Sequence, residues 1–487
     1  MQTTTAIIFG ATGDLAQQKL FPTLFQLIVR EEVSERLTLL AIGRRPYSRE
    51  QFLEMVKENL EKKRVITPEE WEKFQPHVLY YQMDFNQRDS YEPLCKFLVG
   101  EEEKRGGCNR LFYLSVPPTS YQTILSHIHA SGLHQQAAGR WRRIIVEKPF
   151  GTDLTSAREL DAHIKALFTE DQIYRIDHYL GKETVQNILA FRFANGIFEP
   201  LWNRENVDHI QITVAEEEGI KSRGAYYDQA GAFRDLMQSH ILQLLALLTM
   251  EKPDDFTFAG LSDQKTAVLE KARFDPEQTV FGQYEGYLEE AKVAEGSQTE
   301  TYGMTTCYID DDRWRGVPIY LRTGKGLAKR ISEISLQFKK PQQDLFSYTT
   351  PRKQANVLTF RIQPDEGIAL RLGVKTPRQN MQVEPVQMEF CYSMSFRTEL
   401  PDAYERLFRD VLMGDQSLCL REDNIEASWK IVDRVLEAKA DGSVRRYHIG
   451  SWGPAAADQI LEREGREWFA HESTVCNGIV LERNSNT

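Results

Sequence analysis

Short apolar runs alternate with amphipathic stretches through roughly the first 175 residues of the chain. The runs are rich in β-branched and aromatic residues, as strands are, and lie at residues 5–9, 37–42, 78–81, 110–116 and 143–146. Between them, apolar residues recur with helical spacing over residues 51–62, 90–99, 121–130 and 154–168. Strands that alternate with helices in this way predict an α/β domain with a doubly wound, mainly parallel sheet.

The alternation of apolar and polar residues changes its character after residue 183. Strand-like alternation then dominates, at residues 207–214, 317–322, 332–338, 356–363, 368–374 and 386–392. Helical patterns are fewer, at residues 233–248, from residue 400 onward and at residues 425–440. We therefore predict two domains, residues 1–177 and residues 178–487. The second is an α+β domain with a large, mainly antiparallel sheet.

A glycine-containing turn directly follows the first predicted strand. Gly10 permits a tight turn, Gly13 allows the backbone to approach a pyrophosphate, and the small Ala16 stands where a third glycine is usual. The N–H groups of the following helix would face the anion. This arrangement predicts a Rossmann domain that binds a dinucleotide. The turn consists of Gly10, Ala11, Thr12, Gly13, Asp14 and Leu15.

The second predicted strand ends in the sequence Gly43-Arg44-Arg45. An acidic residue at this place would bind the ribose 2′-hydroxyl of NAD, whereas an arginine suits the 2′-phosphate of NADP. Arg44 therefore favours NADP as the cofactor. Arginine pairs are also common in exposed turns that bind nothing, so a solvated basic turn is the alternative interpretation.

The segment of residues 175–183 combines an acid, an imidazole, a phenol, a glycine and a lysine. We predict a helix from Leu180 onward, which would place His178 and Lys182 four residues apart on one face. Two cationic donors near a helix N-terminus can bind a phosphate or a carboxylate. The alternative is an ordinary N-terminal cap, with Asp177 as the capping residue, His178 in the core and Lys182 in water.

Two further residues are candidates for the chemistry. Lys148 follows a predicted strand, at the end of the sheet where parallel strands bind ligands, although an ordinary surface lysine before a turn fits equally well. His240 lies on the apolar face of the helix predicted over residues 233–248. A histidine there is most often a satisfied core residue, but a general base that lines a cleft would have the same pattern.

The composition excludes several classes of protein. A chain of 487 residues is too long for one compact core, and 41% hydrophobic and 27% charged residues are ordinary for a globular protein. The formal net charge of -11 argues against nucleic-acid binding, which requires an excess of Lys and Arg. We find neither an export leader nor an apolar run long enough to span a bilayer, so we expect no membrane association and a cytoplasmic location.

The six cysteines are scattered without the spacing of a metal site. We therefore expect reduced thiols and no structural metal. The cysteines are Cys95, Cys108, Cys307, Cys391, Cys419 and Cys476.

Several segments together resemble glucose-6-phosphate dehydrogenase, in order, from near the N-terminus to about Trp468. They are residues 10–16, 147–151 and 175–183, residues 226–228 with Gly231, and the pair Gly324 and Lys325. The segment of residues 175–183 is the most specific of these. The resemblance implies NADP-dependent oxidation of D-glucose 6-phosphate at C1 to 6-phospho-D-glucono-1,5-lactone, the first step of the oxidative pentose phosphate pathway. It also implies a homodimer or homotetramer.

The same resemblance implies roles for individual residues. His240 would be the general base that removes the C1 hydroxyl proton, Asp177 would stabilise the resulting imidazolium, and Lys148 would lie between the substrate and the nicotinamide. Tyr113 and Arg44 would help the glycine turn to hold the cofactor. The substrate phosphate would be bound by His178, Tyr179 and Lys182, and the sugar would be contacted by Glu216, Asp235, Lys325, Arg330 and Gln363.

The sequence also departs from this family at identifiable positions. Gln17 and Gln18 stand where many members carry lysines, which puts one electrostatic contribution to cofactor binding in doubt. Ile331 and Ser335 stand where some animal members carry basic residues that bind a second, structural NADP. We therefore expect that second site to be absent.

Two other functions fit parts of the sequence. A sugar oxidoreductase of the glucose-fructose oxidoreductase type also joins a Rossmann domain to an antiparallel sheet and can have a Glu-Lys-Pro turn, but it would not be expected to carry the segment of residues 175–183. A catalytically inactive NADP-binding regulator would have no need to keep Asp177, His240 and Lys148. Equal activity on free glucose would favour the first alternative, and absence of NADPH formation would favour the second.

Overall fold

The computed structural model describes residues 3–33, 36–136, 139–343, 355–379, 381–396, 400–439 and 443–469. By its internal contacts, the chain divides into two compact units. The first contains Met1–Gly181, Asp255–Leu261 and Pro401–Glu426, and the second contains Lys182–Asp254, Ser262–Leu400 and Ala427–Thr487. This division differs from the single boundary after residue 177 that the sequence predicts, because two later segments of the chain pack with the first unit.

The first unit is built on a six-stranded sheet in which all neighbouring strands are parallel. The strand order is β3-β2-β1-β4-β5-β6. This is the order of a doubly wound dinucleotide-binding fold, so the predicted fold class is confirmed for this part of the chain. Strands β1 and β4 are buried along their whole length, which explains why they read as continuous apolar runs. The strands are β1 (Thr4–Phe9), β2 (Leu37–Gly43), β3 (Val78–Gln82), β4 (Asn109–Leu114), β5 (Arg142–Glu147) and β6 (Ile173–Ile176).

The helices follow the amphipathic patterns of the sequence in most places. Ser48 and Asp153 each begin a helix with a capping box, in which the side chain accepts a hydrogen bond from the third residue of that helix. The helices in the described part of the chain are α1 (Phe21–Val29), α2 (Arg49–Glu61), α3 (Pro68–Phe74), α4 (Tyr91–Glu103), α5 (Tyr121–Ala130), α6 (Leu154–Lys165), α7 (Glu183–Ala194), α8 (Gly224–Ala232), α9 (Leu242–Thr249), α10 (Phe258–Leu269), α11 (Tyr392–Phe396), α12 (Ala403–Met413), α13 (Glu422–Glu437) and α14 (Ala455–Arg463). Two π-helical segments, Ala16–Leu20 and Phe233–Ile241, precede α1 and α9.

The second unit contains a nine-stranded mixed sheet in the order β14-β13-β12-β11-β7-β10-β9-β8-β15. Only the pairs β7 with β10 and β8 with β15 are parallel in the described residues, so the predicted mainly antiparallel sheet is confirmed. The strands are β7 (Val207–Ala215), β8 (Ala272–Tyr284), β9 (Tyr302–Ile309), β10 (Ile319–Gly324), β11 (Ile331–Phe338), β12 (Val357–Gln363), β13 (Gly367–Lys375), β14 (Val383–Cys391) and β15 (Arg445–Tyr447).

Helix α12 belongs to the core of the first unit although it lies more than 200 residues after β6 in the sequence. Its residues Tyr404, Leu407 and Phe408 are buried in the same apolar cluster as Ile8 of β1 and Tyr113 of β4. Helix α12, from the C-terminal third of the chain, therefore packs against the end of the sheet that carries the glycine turn.

The cysteines differ in part from expectation. Cys95, Cys108, Cys307 and Cys419 are free. Cys391 is disulfide-bonded, so the expectation of a reduced thiol is wrong at this position. Spacing along the chain does not reveal which thiols meet in a fold. Cys476 lies outside the described residues.

No helix in the described part of the chain combines the length and the apolar character required to cross a bilayer.

Candidate active site

The glycine turn lies where β1, β2 and β4 end side by side. Gly10 has a φ of 78°, and its N–H and that of Ala11 both donate to the carbonyl oxygen of Ile42, at 3.0 and 2.9 Å. A Cβ atom at Gly10 would lie 2.2 Å from the carbonyl oxygen of Ser115, so only glycine fits. Gly13 is exposed beside the start of the following helix. The turn therefore provides a backbone cradle at the point where the strand order reverses, which is where such sheets bind nucleotides.

Gln17, the first of the two glutamines after the glycine turn, supports this turn through its side chain. Its side chain is buried, donates to the carbonyl oxygen of Ala11 at 2.7 Å, and accepts from the amide of Asn59 in α2 at 3.1 Å. An uncharged side chain thus links the turn to α2. Sequence reasoning missed this role, because the partner lies 42 residues away.

Arg44 directly follows β2 and is exposed. Its guanidinium lies 5.7 Å from the centre of the Phe85 ring, a distance typical of a weak cation–π contact. The charge is thereby held near the end of β2, beside the glycine turn. The preference for NADP that was inferred from Arg44 stays a prediction.

Tyr113 and Glu147 occupy the ends of β4 and β5. Tyr113 is fully buried, and its hydroxyl donates to the carboxylate of Glu147. The Tyr113 ring stacks on the Phe408 ring of α12, with centroids 5.4 Å apart and planes 8° from parallel. Burial raises the pKa of Tyr113 well above its ordinary value. The hydroxyl proposed to help hold the cofactor is therefore already bonded to Glu147.

Glu147 directly precedes Lys148 and shares a hydrogen-bonded cluster with two phenols. Its second carboxylate oxygen accepts from the hydroxyl of Tyr404 in α12 at 3.3 Å. Burial raises the pKa of Glu147 to about 7, against the opposing effects of Tyr113, Tyr404 and the charge of Lys148. Glu147 and Tyr404 were not among the residues selected from the sequence.

Asp177 begins a tight turn directly after β6. Its side chain is fully buried, and it accepts a hydrogen bond from the N–H of Tyr179 at 2.9 Å. Its carbonyl oxygen accepts from the N–H of Leu180, also at 2.9 Å. Asp177 thus shapes the chain around His178, as a capping residue does.

The predicted helix from Leu180 is wrong in its starting point. Helix α7 begins at Glu183, and Lys182 has the extended conformation of an N-cap, with φ of -76° and ψ of 131°. His178 and Lys182 therefore do not share a helix face. Gly181 explains the difference, because a Cβ atom there would lie 2.6 Å from the carbonyl oxygen of Ala403, so this turn is packed tightly against the start of α12.

Arg175, the first residue of the segment of residues 175–183, has a structural role. It lies in β6, is 2% exposed, and pairs with Asp161 at 2.5 Å and Glu170 at 2.7 Å. The His178 ring, in contrast, is stacked on the Tyr404 ring, with centroids 6.2 Å apart and planes 7° from parallel. The polar chemistry of the segment is thus divided between an ion pair in the core and the turn that follows.

In the second unit, His240 lies in the π-helical segment Phe233–Ile241. Every residue of this segment except Arg234 is buried, and His240 is 1% exposed. Gly231, with φ of 68° and ψ of 176°, breaks α8 just before the segment starts. The N–H of Ala232 then donates to the carbonyl oxygen of Glu300 at 2.9 Å. Segments of this type are frequent at functional sites.

Glu216, Asp235 and Lys325 form a charged cluster in the second unit. The ends of β7 and β10 are adjacent and parallel, which brings Glu216 and Lys325 together. The Lys325 ammonium is 1% exposed and lies 2.5 Å from Glu216 and 3.3 Å from Asp235. The Tyr226 hydroxyl donates to Asp235 at 3.4 Å. Such a cluster can donate to and accept from the hydroxyl groups of a sugar.

The remaining residues that were singled out from the sequence lie at different places in the second unit. Lys182 donates from its ammonium to the side-chain oxygen of Gln363 at the end of β12, so these two residues lie together. Arg330 is exposed. The pKa of the nearby Glu218 is lowered mainly by its hydrogen bond to Lys221 and only to a small extent by the charge of Arg330. Ser335 of β11 is buried and hydrogen-bonded to Thr359 at 2.9 Å.

The parallel sheet in this strand order, with a glycine turn at its reversal point, defines a dinucleotide-binding protein. Residues 7–187 match the family "Glucose-6-phosphate dehydrogenase, NAD binding domain". Residues 189–469 match "Glucose-6-phosphate dehydrogenase, C-terminal domain". The chain belongs to the glucose-6-phosphate dehydrogenase family, which confirms the resemblance seen in the sequence.

Individual relatives are similar to this chain over almost its whole length. The glucose-6-phosphate 1-dehydrogenase of Chlamydia muridarum is 42% identical over 488 residues, covering 96% of both chains. A solved structure of the Mycobacterium avium enzyme has a TM-score of 0.85 at 33% identity, with 97% of this chain and 99% of that chain covered. Another, described as "Glucose-6-phosphate dehydrogenase in complex with its substrate glucose-6-phosphate", has a TM-score of 0.88 at 34% identity, with 96% and 99% covered.

Proposed function

We propose that the protein oxidises D-glucose 6-phosphate at C1 with NADP, giving 6-phospho-D-glucono-1,5-lactone in the first step of the oxidative pentose phosphate pathway. The observation that carries this proposal is the 42% identity to named glucose-6-phosphate 1-dehydrogenases over 96% of the chain. The solved relative described with glucose 6-phosphate as its substrate supports it. We further propose a cytoplasmic homodimer or homotetramer without nucleic-acid or membrane partners.

The residues of the first unit fit a dinucleotide. The exposed backbone at Gly13 and the collision that any side chain at Gly10 would cause are what a pyrophosphate cradle requires. Arg44 is proposed to pair with the 2′-phosphate that distinguishes NADP from NAD, since its charge is exposed at the end of β2. Residues 1–177 would accordingly be the cofactor domain, and residues 178–487 would supply most of the substrate contacts and the subunit interface.

The proposed mechanism gives His240 the central role. The imidazole takes the C1 hydroxyl proton, Asp177 stabilises the imidazolium that results, and Lys148 lies between the substrate and the nicotinamide. Bound NADP supplies the acceptor for the hydride that leaves C1. A positioned base of this kind typically contributes about 10²–10⁴-fold to the rate.

Substrate recognition is proposed to divide between the phosphate and the sugar. His178, Tyr179 and Lys182 bind the phosphate through charge-assisted hydrogen bonds, which contribute roughly 1.5–3 kcal/mol each. The sugar hydroxyls are bound by the charged cluster described above and by two further residues. The residues assigned to the sugar are Glu216, Asp235, Lys325, Arg330 and Gln363.

The test mixes the purified protein with either NADP or NAD and with either glucose 6-phosphate or free glucose. The absorbance of NADPH or NADH then measures the rate in each combination. We expect rapid turnover only with NADP and glucose 6-phosphate. Equal rates with free glucose would favour a general sugar oxidoreductase, and no reduced nucleotide in any combination would favour an inactive regulator. A His240→Asn protein purified in parallel controls for contaminating host dehydrogenases.

A further inference from the structure

Helix α12 carries two aromatic rings that meet the candidate site of the first unit. Tyr404 and Phe408 lie one turn apart and are both buried, so they share one face of the helix. Phe408 stacks on Tyr113, and Tyr404 stacks on His178. Asp402 caps the helix by accepting from the N–H of Tyr404 at 2.9 Å, which fixes the start of α12 and hence the first of these rings.

The turn that contains His178 is pressed onto the same end of α12. A Cβ atom at Gly181 would lie 2.6 Å from the carbonyl oxygen of Ala403 and 2.9 Å from the side chain of Leu407, so there is no space between turn and helix. The His178 ring lies parallel to Tyr404 and meets the Tyr179 ring at 61°, with centroids 5.1 Å apart. The orientation of the imidazole is therefore defined on two sides by phenol rings.

The Tyr404 ring is itself held at its far end. Its hydroxyl donates to Glu147 at 3.3 Å, and the other oxygen of Glu147 accepts from Tyr113. Glu147 is the last residue of β5, directly before Lys148. One carboxylate thus joins the end of the parallel sheet to the ring that supports His178.

We propose that Tyr404 and Glu147 are positioning residues for phosphate binding, which keep the His178 ring in the orientation that meets the phosphate monoester of the substrate. This inference rests on the proposed function. Neither residue contacts the substrate in this scheme. They act by restricting the rotation of the His178 ring before the phosphate binds. Their loss therefore weakens phosphate binding and leaves the chemical step unchanged.

The experiment compares Tyr404→Leu, which removes the ring, with Tyr404→Phe, which removes only the hydrogen bond. The measured quantities are kcat, the KM for glucose 6-phosphate, and the inhibition constant of inorganic phosphate. For Tyr404→Leu we expect the KM and the inhibition constant to rise together, by roughly two- to tenfold, with kcat little changed. Tyr404→Phe should have a smaller effect on the same two constants.

Glu147 is tested by the same measurements. Glu147→Ala removes this hydrogen bond and also the one from Tyr113, so its effect on both constants should be at least as large as that of Tyr404→Phe. Adding Tyr404→Phe to Glu147→Ala should have no further effect, because the Tyr404 hydroxyl then has no bond to Glu147 left to lose. Glu147→Gln keeps an oxygen that can accept from Tyr404 and should restore the constants. Additive effects in the double variant would contradict the proposed link between the two residues.

Tyr91→Leu is the matched control for structural damage. Tyr91 is a buried tyrosine of the first unit that packs on a histidine, His127, with ring centroids 5.0 Å apart, and its hydroxyl donates to the Phe85 carbonyl oxygen at 2.9 Å. Its loss should leave both constants unchanged. If Tyr404→Leu leaves both constants unchanged, or lowers kcat alone, the inference fails. If the wild-type protein does not oxidise glucose 6-phosphate, the proposed function fails and the inference with it.

Discussion

His240 and Lys182 are assigned different kinds of role, and steady-state kinetics separates them. For His240→Asn we expect kcat to fall by about 10²–10⁴-fold, because a positioned base acts in the chemical step. For Lys182→Ala we expect mainly a rise in the KM for glucose 6-phosphate, because a charge-assisted bond to the phosphate acts in binding. The measurement is kcat and KM for each variant under saturating NADP.

His209→Asn provides the matched control for the base. His209 is a second buried histidine of the same unit, bonded to Asp208 at 2.7 Å and stacked on Phe469, and it has no proposed part in the reaction. Its replacement tests whether removal of any buried imidazole lowers the rate. A His240→Asn enzyme with near-normal kcat would refute the assignment of the base.

At the residue scale, the backbone geometry of the glycine turn could be predicted from the sequence, and partnerships across the chain could not. The glycine turn needed only its own residues and the strand before it, so Gly10 was identified from pattern alone. The arrangement of His178 and Lys182 was misjudged, because the turn between them is fixed by α12, more than 200 residues away. Glu147 and Tyr404 were missed for the same reason, since only the fold brings them together.

Among the elements, the π-helical segment around His240 depends on a single glycine. Gly231 has a φ of 68°, and a Cβ atom there would lie 2.4 Å from a carboxylate oxygen of Glu300. Glu300 is buried and pairs with Lys439 at 2.7 Å, so it cannot move away freely. Any larger residue at position 231 must therefore disturb the start of the segment that carries His240.

For Gly231→Ala we expect a loss of stability together with a loss of activity. The backbone conformation of Gly231, with positive φ and extended ψ, costs about 1–3 kcal/mol for alanine, and the contact with Glu300 adds to this. Thermal unfolding followed by circular dichroism, with kcat measured in parallel, tests the prediction. Gly196→Ala is the control, since that glycine has no atom near its Cβ position and no left-handed φ. Equal melting temperatures for Gly231→Ala and Gly196→Ala would contradict the prediction.

Periodicity did not predict strands β8 and β9 of the second unit or the π-helical character of the segment around His240. Strand β9 is buried at all but one position, so it lacks the alternation that identifies a strand. Strand β8 contains Pro276 and a register shift between Phe274 and Thr279, which breaks its pattern. The segment Phe233–Ile241 is buried almost all round, and its apolar residues could not distinguish a π-helix from an α-helix.

At the scale of the whole molecule, the two strands at one end of the nine-stranded sheet, β13 and β14, expose an apolar strip. Leu372 lies opposite Val386, and Leu370 lies opposite Met388, so the four side chains share one face of β13 and β14. Val386 is 44% and Met388 61% exposed in the described part of the chain. Exposed apolar residues arranged together in this way mark protein–protein interfaces, in line with the proposed oligomer.

We therefore expect Met388→Glu to lower the mass of the particle in solution, because a charge in the strip would have to be buried on association. Sedimentation velocity at micromolar concentration measures this. Ile197→Glu, at a site that is 74% exposed elsewhere in the same unit, should leave the mass unchanged. A Met388→Glu protein that sediments as the wild type does would exclude this strip as the interface.

The membership of Pro401–Glu426 in the first unit has a consequence for how the protein is made. A ribosome releases the six parallel strands long before it reaches α12, whose buried residues complete their apolar cluster. The nascent N-terminal unit must therefore wait, with part of its core uncovered, while more than 200 further residues are translated. Contacts this distant along the chain slow folding and prolong the exposure of apolar surface that can aggregate.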